Sequence, residues 1–373
     1  MTVNNHSHPR RVLMTSDTVG GVWTYALTLA RELSDSGTEI ALATMGRSLT
    51  REQRQAASKI KHLEIFESAF RLEWMSEPWE DVERAETWLL DIESQVRPEL
   101  IHLNHFCHTA IAWQRPKLVV AHSDVYSWYR AVKGTPPGGE WNRYREEVSR
   151  NLRAADLIVT PTSAMRDSLQ YFYGPLETVR VISNGTRIDR FRPAKKSDYI
   201  LSVGRLWDDS KNIRTLDLAA DGLPWPTVVI GSRLSPGAAR VDAVTFSNVL
   251  TIDELPHETL IRYFEEASIY ASPAKYEPFG LSALEAALNG CALVLGDIPS
   301  LREIWCDSAV FVDPNDPAHL KETLFRLIHD RQSREELGRR ARTRALVFGA
   351  EQMCDSYCRE YRSLLQSSRG PSR

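Results

Sequence analysis

Short apolar runs alternate with amphipathic stretches along most of this chain, and the alternation predicts strands followed by helices. Residues 12–15 are apolar and end in Ser16-Asp17-Thr18-Val19-Gly20-Gly21. Trp23, Ala26, Leu27, Ala30 and Leu33 then recur at helical spacing, Gly37 ends the helix, and residues 39–44 read as a second strand. This is a βαβ opening. Residues 100–104, 118–121, 157–160 and 179–182 read as further strands, and residues 141–155 and 163–173 as helices. A polar linker at 191–198, with Pro193 and two lysines, marks a boundary. The alternation then restarts, with strands at 199–203, 227–230, 249–252, 268–272, 292–296 and 310–312 and a helix at 256–267. Residues 332–366 read as one or two helices interrupted at Phe348-Gly349. Strands that alternate with helices in two successive blocks predict two parallel α/β layers.

Composition narrows this picture without changing it. The 373 residues suffice for two domains, and 42% hydrophobic with 25% charged residues is the balance of a globular chain. Lys plus Arg total 46 against 49 Asp plus Glu, so no global charge points to nucleic acid. The five cysteines are odd in number and form no Cys-x-x-Cys pair, which supports neither a disulfide framework nor a zinc finger. Cys354 and Cys358, four apart on an expected helix, read as packing residues. No signal core precedes residue 10 and no stretch approaches the ~20 apolar residues of a membrane span, so a reducing cytoplasm is the expected setting. The basic segment 47–62 leaves room for peripheral contact with a membrane, although a solvated helix face explains it better.

Candidate chemistry gathers at strand ends. Tyr276-Glu277-Pro278-Phe279-Gly280-Leu281 forms a turn from a strand into a short apolar helix stopped by Asn289-Gly290. Backbone N–H groups at such a helix start suit an anion, while Glu277 and Glu285 suit hydroxyls. A competing reading takes Ser282 and Glu285 as a capping box that only closes the helix start. Arg205 and Lys211 follow a strand and would suit a diphosphate, or they are plain surface charges. The Gly20-Gly21 turn would let a phosphate approach the backbone, or it is simply tight; it lacks the dinucleotide fingerprint. His122 emerges from an apolar strand into a polar loop. His102, His105 and His108 offer a metal reading, weakened because no carboxylate lies near them in sequence. Trp74, Trp79 and Trp88 read as packing or as an acceptor platform, with packing favoured. No Asp-x-Asp occurs, so no metal clamp on a diphosphate is indicated.

The stretch from Glu277 to Glu285 with Pro-Phe-Gly-Leu between resembles the retaining glycosyltransferases of family 4. The likeness extends to Gly20-Gly21, to His122, to Val181-Ile182-Ser183-Asn184-Gly185, and to Val203-Gly204-Arg205 followed by Lys211. The resemblance implies the GT-B fold: two Rossmann-like α/β domains facing across a cleft, with a C-terminal helix crossing back to the N-terminal domain. The expected division is a disordered lead-in at 1–10, an acceptor-side domain at 11–190, a nucleotide-sugar domain at 191–347, a crossover helix at 348–366 and a loose tail at 367–373. The resemblance further implies transfer of a hexose from a nucleotide-diphosphate sugar to a hydroxyl of a glycan or lipid-linked acceptor, as in polysaccharide assembly, with no metal or cofactor. UDP-glucose is the first donor expected and GDP-mannose the second. Arg205 and Lys211 would contact the diphosphate. Glu277 would position the sugar, the backbone N–H groups of Phe279, Gly280 and Leu281 would face the donor, and Glu285 would bind the ribose. Gly20 and Gly21 would close on the diphosphate from the opposite domain, and His122 would lie near the reacting carbon. The family often has His-Asp where this chain has His122-Ser123-Asp124, which puts a role for Asp124 in doubt. A GT-B epimerase or phosphorylase, or a non-catalytic sugar-nucleotide binder, would share much of this pattern.

Overall fold

A computed structural model describes residues 8–234 and 245–368, so most of the expected lead-in and tail lies outside the described residues. The chain divides into two compact units. The first takes the chain up to Ser127, Pro136–Gly185 and the residues from Ala350 onward; the second takes Trp128–Thr135 and Thr186–Gly349.

In the order of the chain, the first elements are β1 (Arg11–Asp17), α1 (Gly21–Asp35), β2 (Glu39–Met45), α2 (Arg51–Ala57), β3 (Leu63–Glu67), α3 (Trp79–Val96), β4 (Leu100–Leu103), β5 (Lys117–Val120), α4 (Val125–Lys133), α5 (Asn142–Ala154), β6 (Leu157–Thr160), α6 (Ser163–Tyr173) and β7 (Val179–Val181). Their strands form one sheet in the order β3-β2-β1-β4-β5-β6-β7, and every pairing is parallel. Strands in such a sheet are buried on both faces, which is why β1, β2, β4 and β5 read as continuous apolar runs. Sequence pattern alone missed β3 and α4. β3 is a polar edge strand, Leu-Glu-Ile-Phe-Glu, defined by its pairing with β2.

One face of this sheet is covered by residues of α3, α5 and α6, with Trp74, Trp79 and Trp88 packed partly buried against that core. The tryptophans therefore serve packing here, and the Arg143 guanidinium lies 4.5 Å over the Trp79 ring. α1 covers the other face together with α13 (Ala350–Ser367), whose Met353, Cys354, Tyr357, Cys358 and Tyr361 are buried against it. Each large apolar side chain buried this way contributes about 1.5–3 kcal/mol.

The second unit contains β8 (Ser197–Val203), α7 (Ile213–Ala220), β9 (Thr227–Ile230), β10 (Leu250–Ile252), α8 (His257–Glu266), β11 (Ala267–Ser272), α9 (Leu281–Leu288), β12 (Ala292–Gly296), α10 (Pro299–Trp305), β13 (Val310–Val312), α11 (Pro317–His329) and α12 (Arg331–Ala345). Its sheet runs β10-β9-β8-β11-β12-β13 and is again parallel throughout. In each sheet the order reverses direction once, between β1 and β4 in the first and between β8 and β11 in the second. Ligands of open α/β sheets bind at the carboxyl ends of the strands at such a reversal.

Candidate active site

In the second unit the reversal point collects the expected donor residues. β8 leads into Gly204 and Arg205, and β11 leads into the turn that holds Glu277. Lys211 Nζ lies 2.5 Å from Glu277 Oε2, and both side chains are only 17% exposed. Further hydrogen bonds hold these loops. Asn212 sits in the left-handed region at φ 55, caps α7, and donates its amide to the carbonyls of Pro273 (2.8 Å) and Pro314 (2.6 Å). The Lys275 N–H donates to Ser210 O at 2.9 Å.

Arg205 donates from Nη2 to Asp208 Oδ2 at 2.6 Å, while its Nε is buried with no partner. Asp208 also accepts from the Ser210 N–H (2.9 Å) and from Trp128 Nε1 (3.1 Å). Burial alone would raise the Asp208 carboxyl, but the charges of Arg205 and Lys211 outweigh it and hold the group at about 2. Close packing fixes the loop further: a Cβ on Gly231 would fall 2.0 Å from Gly204 O, so no side chain fits there.

The Pro-Phe-Gly turn is built by Gly280, which caps α9 at φ 92 in the left-handed region. Ser300 Oγ donates to Glu277 O at 2.5 Å and holds the turn from α10. Phe279 is 2% exposed and stacks edge-on against Phe348, so only its backbone is left to meet a ligand. The capping box does not form. The N-cap is Gly280 and carries no side chain, Ser282 Oγ accepts from Tyr270 OH at 2.8 Å, and Glu285 points to another partner. That partner is His257, whose Nε2 lies 2.9 Å from Glu285 Oε1. Burial draws the His257 pKa down, yet the Glu285 carboxylate raises it overall.

In the first unit, Gly20 caps α1 at φ 85 and Gly21 begins the helix. Thr18 anchors that turn: its hydroxyl donates to Arg47 O (2.8 Å) and its backbone N–H to Met45 O (3.1 Å). His122 follows β5 and its Nε2 lies 2.8 Å from Asn104 Oδ1, at the end of β4. His102 Nδ1 lies 2.6 Å from the Tyr361 hydroxyl, and burial lowers the His102 pKa to about 3. Asp124 caps the start of α4: it accepts from the Ser127 N–H and from Tyr173 OH, each at 3.0 Å. That is a structural task.

His102, His105 and His108 do not assemble as a metal site. Among the described residues no group of three or more His, Cys, Asp or Glu is placed to hold a metal. Glu73, distant in the chain, accepts from the Phe106 N–H at 2.8 Å.

The structure thus brings Arg205, Lys211, Glu277 and the Phe279–Gly280–Leu281 backbone into adjoining loops of one sheet, with Glu285 further along α9. Gly20, Gly21 and His122 lie at the carboxyl ends of β1 and β5 in the other sheet, on either side of β4. Asp208, His257 and Asn104 escaped the sequence reading. Asp208 had a signal, its i+3 spacing from Arg205; the other two are paired by folding alone.

Residues 19–190 match the family described as Glycosyltransferase Family 4, and residues 186–344 match Glycosyl transferases group 1. The chain belongs to the family 4 glycosyltransferases. The glycogen synthase of Mycobacterium tuberculosis (strain ATCC 25618 / H37Rv) is 28% identical over 66% of this chain and 64% of its own length, so the match spans less than two thirds of that relative. A D-inositol 3-phosphate glycosyltransferase of Frankia alni is 25% identical, covering 96% of this family 4 chain and 98% of that protein. Two solved structures share the fold over 96% of this chain and 100% of theirs. Sucrose-phosphate synthase from Thermosynechococcus elongatus has a TM-score of 0.81 at 20% identity. Anabaena HepE in complex with UDP-glucose has a TM-score of 0.74 at 16% identity. The fold of this family 4 chain is therefore GT-B, built from two Rossmann-like domains. No helix among the described residues is long and apolar enough to cross a membrane.

Proposed function

We propose that this chain transfers a hexose from a nucleoside-diphosphate sugar to a hydroxyl of a glycan or lipid-linked acceptor, with retention of anomeric configuration. UDP-glucose is the first donor to test. The carrying observation is the Lys211–Glu277 pair, which sets a cation and a carboxylate side by side at the reversal point of the second sheet, next to the N-terminus of α9. A nucleotide sugar has an anionic end and a polyhydroxylic end, and it would separate this pair by giving each member a new partner. The UDP-glucose complex of HepE supports the donor class.

As the C1–O bond breaks, its electron pair goes to the leaving diphosphate. Arg205, Lys211 and the free N–H groups at the start of α9 are suited to stabilise that charge. A diphosphate oxygen takes the proton of the acceptor hydroxyl as the new C1–O bond forms on the same face. Glu277 positions the sugar and Glu285 accepts hydrogen bonds from the ribose. In the first unit, the Gly20-Gly21 turn and His122 are assigned to donor contact. These fixed cations and amides would supply the electrostatic stabilisation without a metal. Expected surroundings are cytoplasmic, with the acceptor reached at or near a membrane face.

A panel of nucleotide sugars tests this reading through thermal stabilisation, followed by measurement of slow nucleoside-diphosphate release without acceptor. One donor should stabilise the protein and be consumed. Stabilisation without any turnover, with or without acceptors, would favour a binding protein instead.

A further inference from the structure

Asn104 stands 5% exposed at the end of β4, and hydrogen bonds to Thr15, His122 and His102 fix it. Its backbone N–H donates to Thr15 Oγ1 at 3.0 Å. Its side-chain Nδ2 donates to the Thr15 backbone carbonyl at 2.7 Å. Its Oδ1 lies 2.8 Å from His122 Nε2. The second bond decides the orientation of the amide. A backbone carbonyl only accepts, so the group facing Thr15 is the NH2 and the group facing His122 is the oxygen. An amide oxygen also only accepts. His122 Nε2 therefore carries its proton, and in a neutral imidazole Nδ1 is then an unprotonated acceptor.

The surroundings keep His122 neutral. The Tyr25 ring of α1 lies edge-on to it at 4.5 Å between centroids. His102 of β4 shares Asn104 Oδ1 at 3.3 Å and Tyr25 OH at 3.3 Å, and is itself held by Tyr361 of α13. Tyr357 of α13 lies edge-on to Tyr25 and tilted against His102. These groups are uncharged at neutral pH: burial lowers His102 and raises Tyr25, Tyr357 and Tyr361. Asp124, two residues beyond His122, spends its carboxylate on Ser127 and Tyr173. Burial likewise lowers the pKa of His122 itself.

We propose that Asn104 is a positioning residue that locks His122 in its Nε2–H tautomer, so that His122 offers Nδ1 as a hydrogen-bond acceptor to a hydroxyl of the donor. The proposal rests on the reading that His122 meets the donor. Removing the amide oxygen frees the imidazole to exchange tautomers, and the fraction with a protonated Nδ1 cannot accept.

Selective 15N labelling of histidine, with long-range proton–nitrogen correlation and assignment through His122→Gln, reads the tautomer directly. The wild-type protein should show His122 as a neutral imidazole with Nε2 protonated and Nδ1 bare. Asn104→Leu should show averaged or reversed nitrogen shifts, with donor-turnover kcat about 10–100-fold lower and donor KM much less changed, the range seen when a residue that orients a functional histidine is removed. Asn104→Asp should stabilise the imidazolium and add an acid limb near neutrality to the pH–rate profile that the wild type lacks. An Nδ1–H tautomer in the wild type overturns the proposal whatever the kinetics show, and it needs no variant to fold. A wild-type spectrum and wild-type kcat in Asn104→Leu overturn it too. Full turnover in His122→Ala, with the Nε2–H tautomer intact in the wild type, would instead overturn the placing of His122 at the donor.

Discussion

Lys211 and Glu277 neutralise each other across the carboxyl ends of β8 and β11, at 2.5 Å between Nζ and Oε2. The bond joins the residues proposed to hold the diphosphate and the sugar ends of the donor, and donor binding must exchange it for two new contacts. Lys211→Ala and Glu277→Ala are each expected to lower turnover by ~10²–10³-fold, the usual cost of losing one transition-state contact. Each single change also strands a half-buried charge. The double variant should therefore be less destabilised than the sum of the singles, which a double-mutant cycle on Tm or denaturant midpoint will measure.

Glu285 and His257 form a second exchangeable pair. If Glu285 binds the ribose, Glu285→Ala should raise donor KM by about tenfold or more, the scale of a lost charged hydrogen bond. The pair also has a pH signature. The folded pKa of His257 is raised by the Glu285 carboxylate. Its stabilisation is therefore fully present below the ordinary histidine value and is lost as pH rises through the raised folded value. Subtracting the Tm–pH curve of His257→Gln from that of the wild type should leave a component that falls with rising pH just above 6.5.

Acidification should act in the opposite sense through the buried histidines of the first unit. Burial lowers His102 to about 3, His108 to about 4, and His105 well below the ordinary histidine value. Groups depressed in this way stabilise the fold above the unfolded pKa, and that stability is lost as pH falls through the folded values. Each contributes a slope of up to about 1.4 kcal/mol per pH unit. Burial raises the carboxyls of Glu73 and Asp124, which oppose the trend as they take up protons. Equilibrium unfolding between pH 6.5 and 5 should show falling stability, with a shallower slope in His108→Gln.

Gly280→Ala tests the turn itself. The residue has φ 92, and an added Cβ would meet Glu277 Cγ and Leu301 Cδ2 at 3.4 Å. The left-handed backbone alone costs about 1–2 kcal/mol for an alanine. Because the strained backbone lies in the turn that carries Glu277, turnover should drop more than the loss of stability accounts for, measured at a temperature where the variant is fully folded.

The sequence made the second sheet legible because its strands are buried on both faces and read as continuous apolar runs, as with residues 292–296. It hid β3, whose polar edge reveals itself only by pairing with β2. Gly280 and the Glu277 stretch were legible because a left-handed cap and a strand–turn–helix leave local marks. The fate of Glu285 was not. Ser282 and Glu285 have capping-box spacing, yet the helix starts at Leu281 and the carboxylate finds His257 at the start of α8. Asn104 was similarly hidden, since its value lies in Thr15 and His122, both remote in sequence.

The central claim is a donor site held by Lys211 and Glu277, and acceptor-independent consumption of a nucleotide sugar tests it most directly. Wild-type protein, Lys211→Ala and Glu277→Ala should be incubated with UDP-glucose, GDP-mannose and related donors, with nucleoside diphosphate quantified over time. The account predicts release from one donor by the wild type and at least a hundredfold slower release by both variants, on the order expected for lost transition-state contacts. Release at the wild-type rate by either folded variant, or no donor bound or consumed by the wild type, would contradict it.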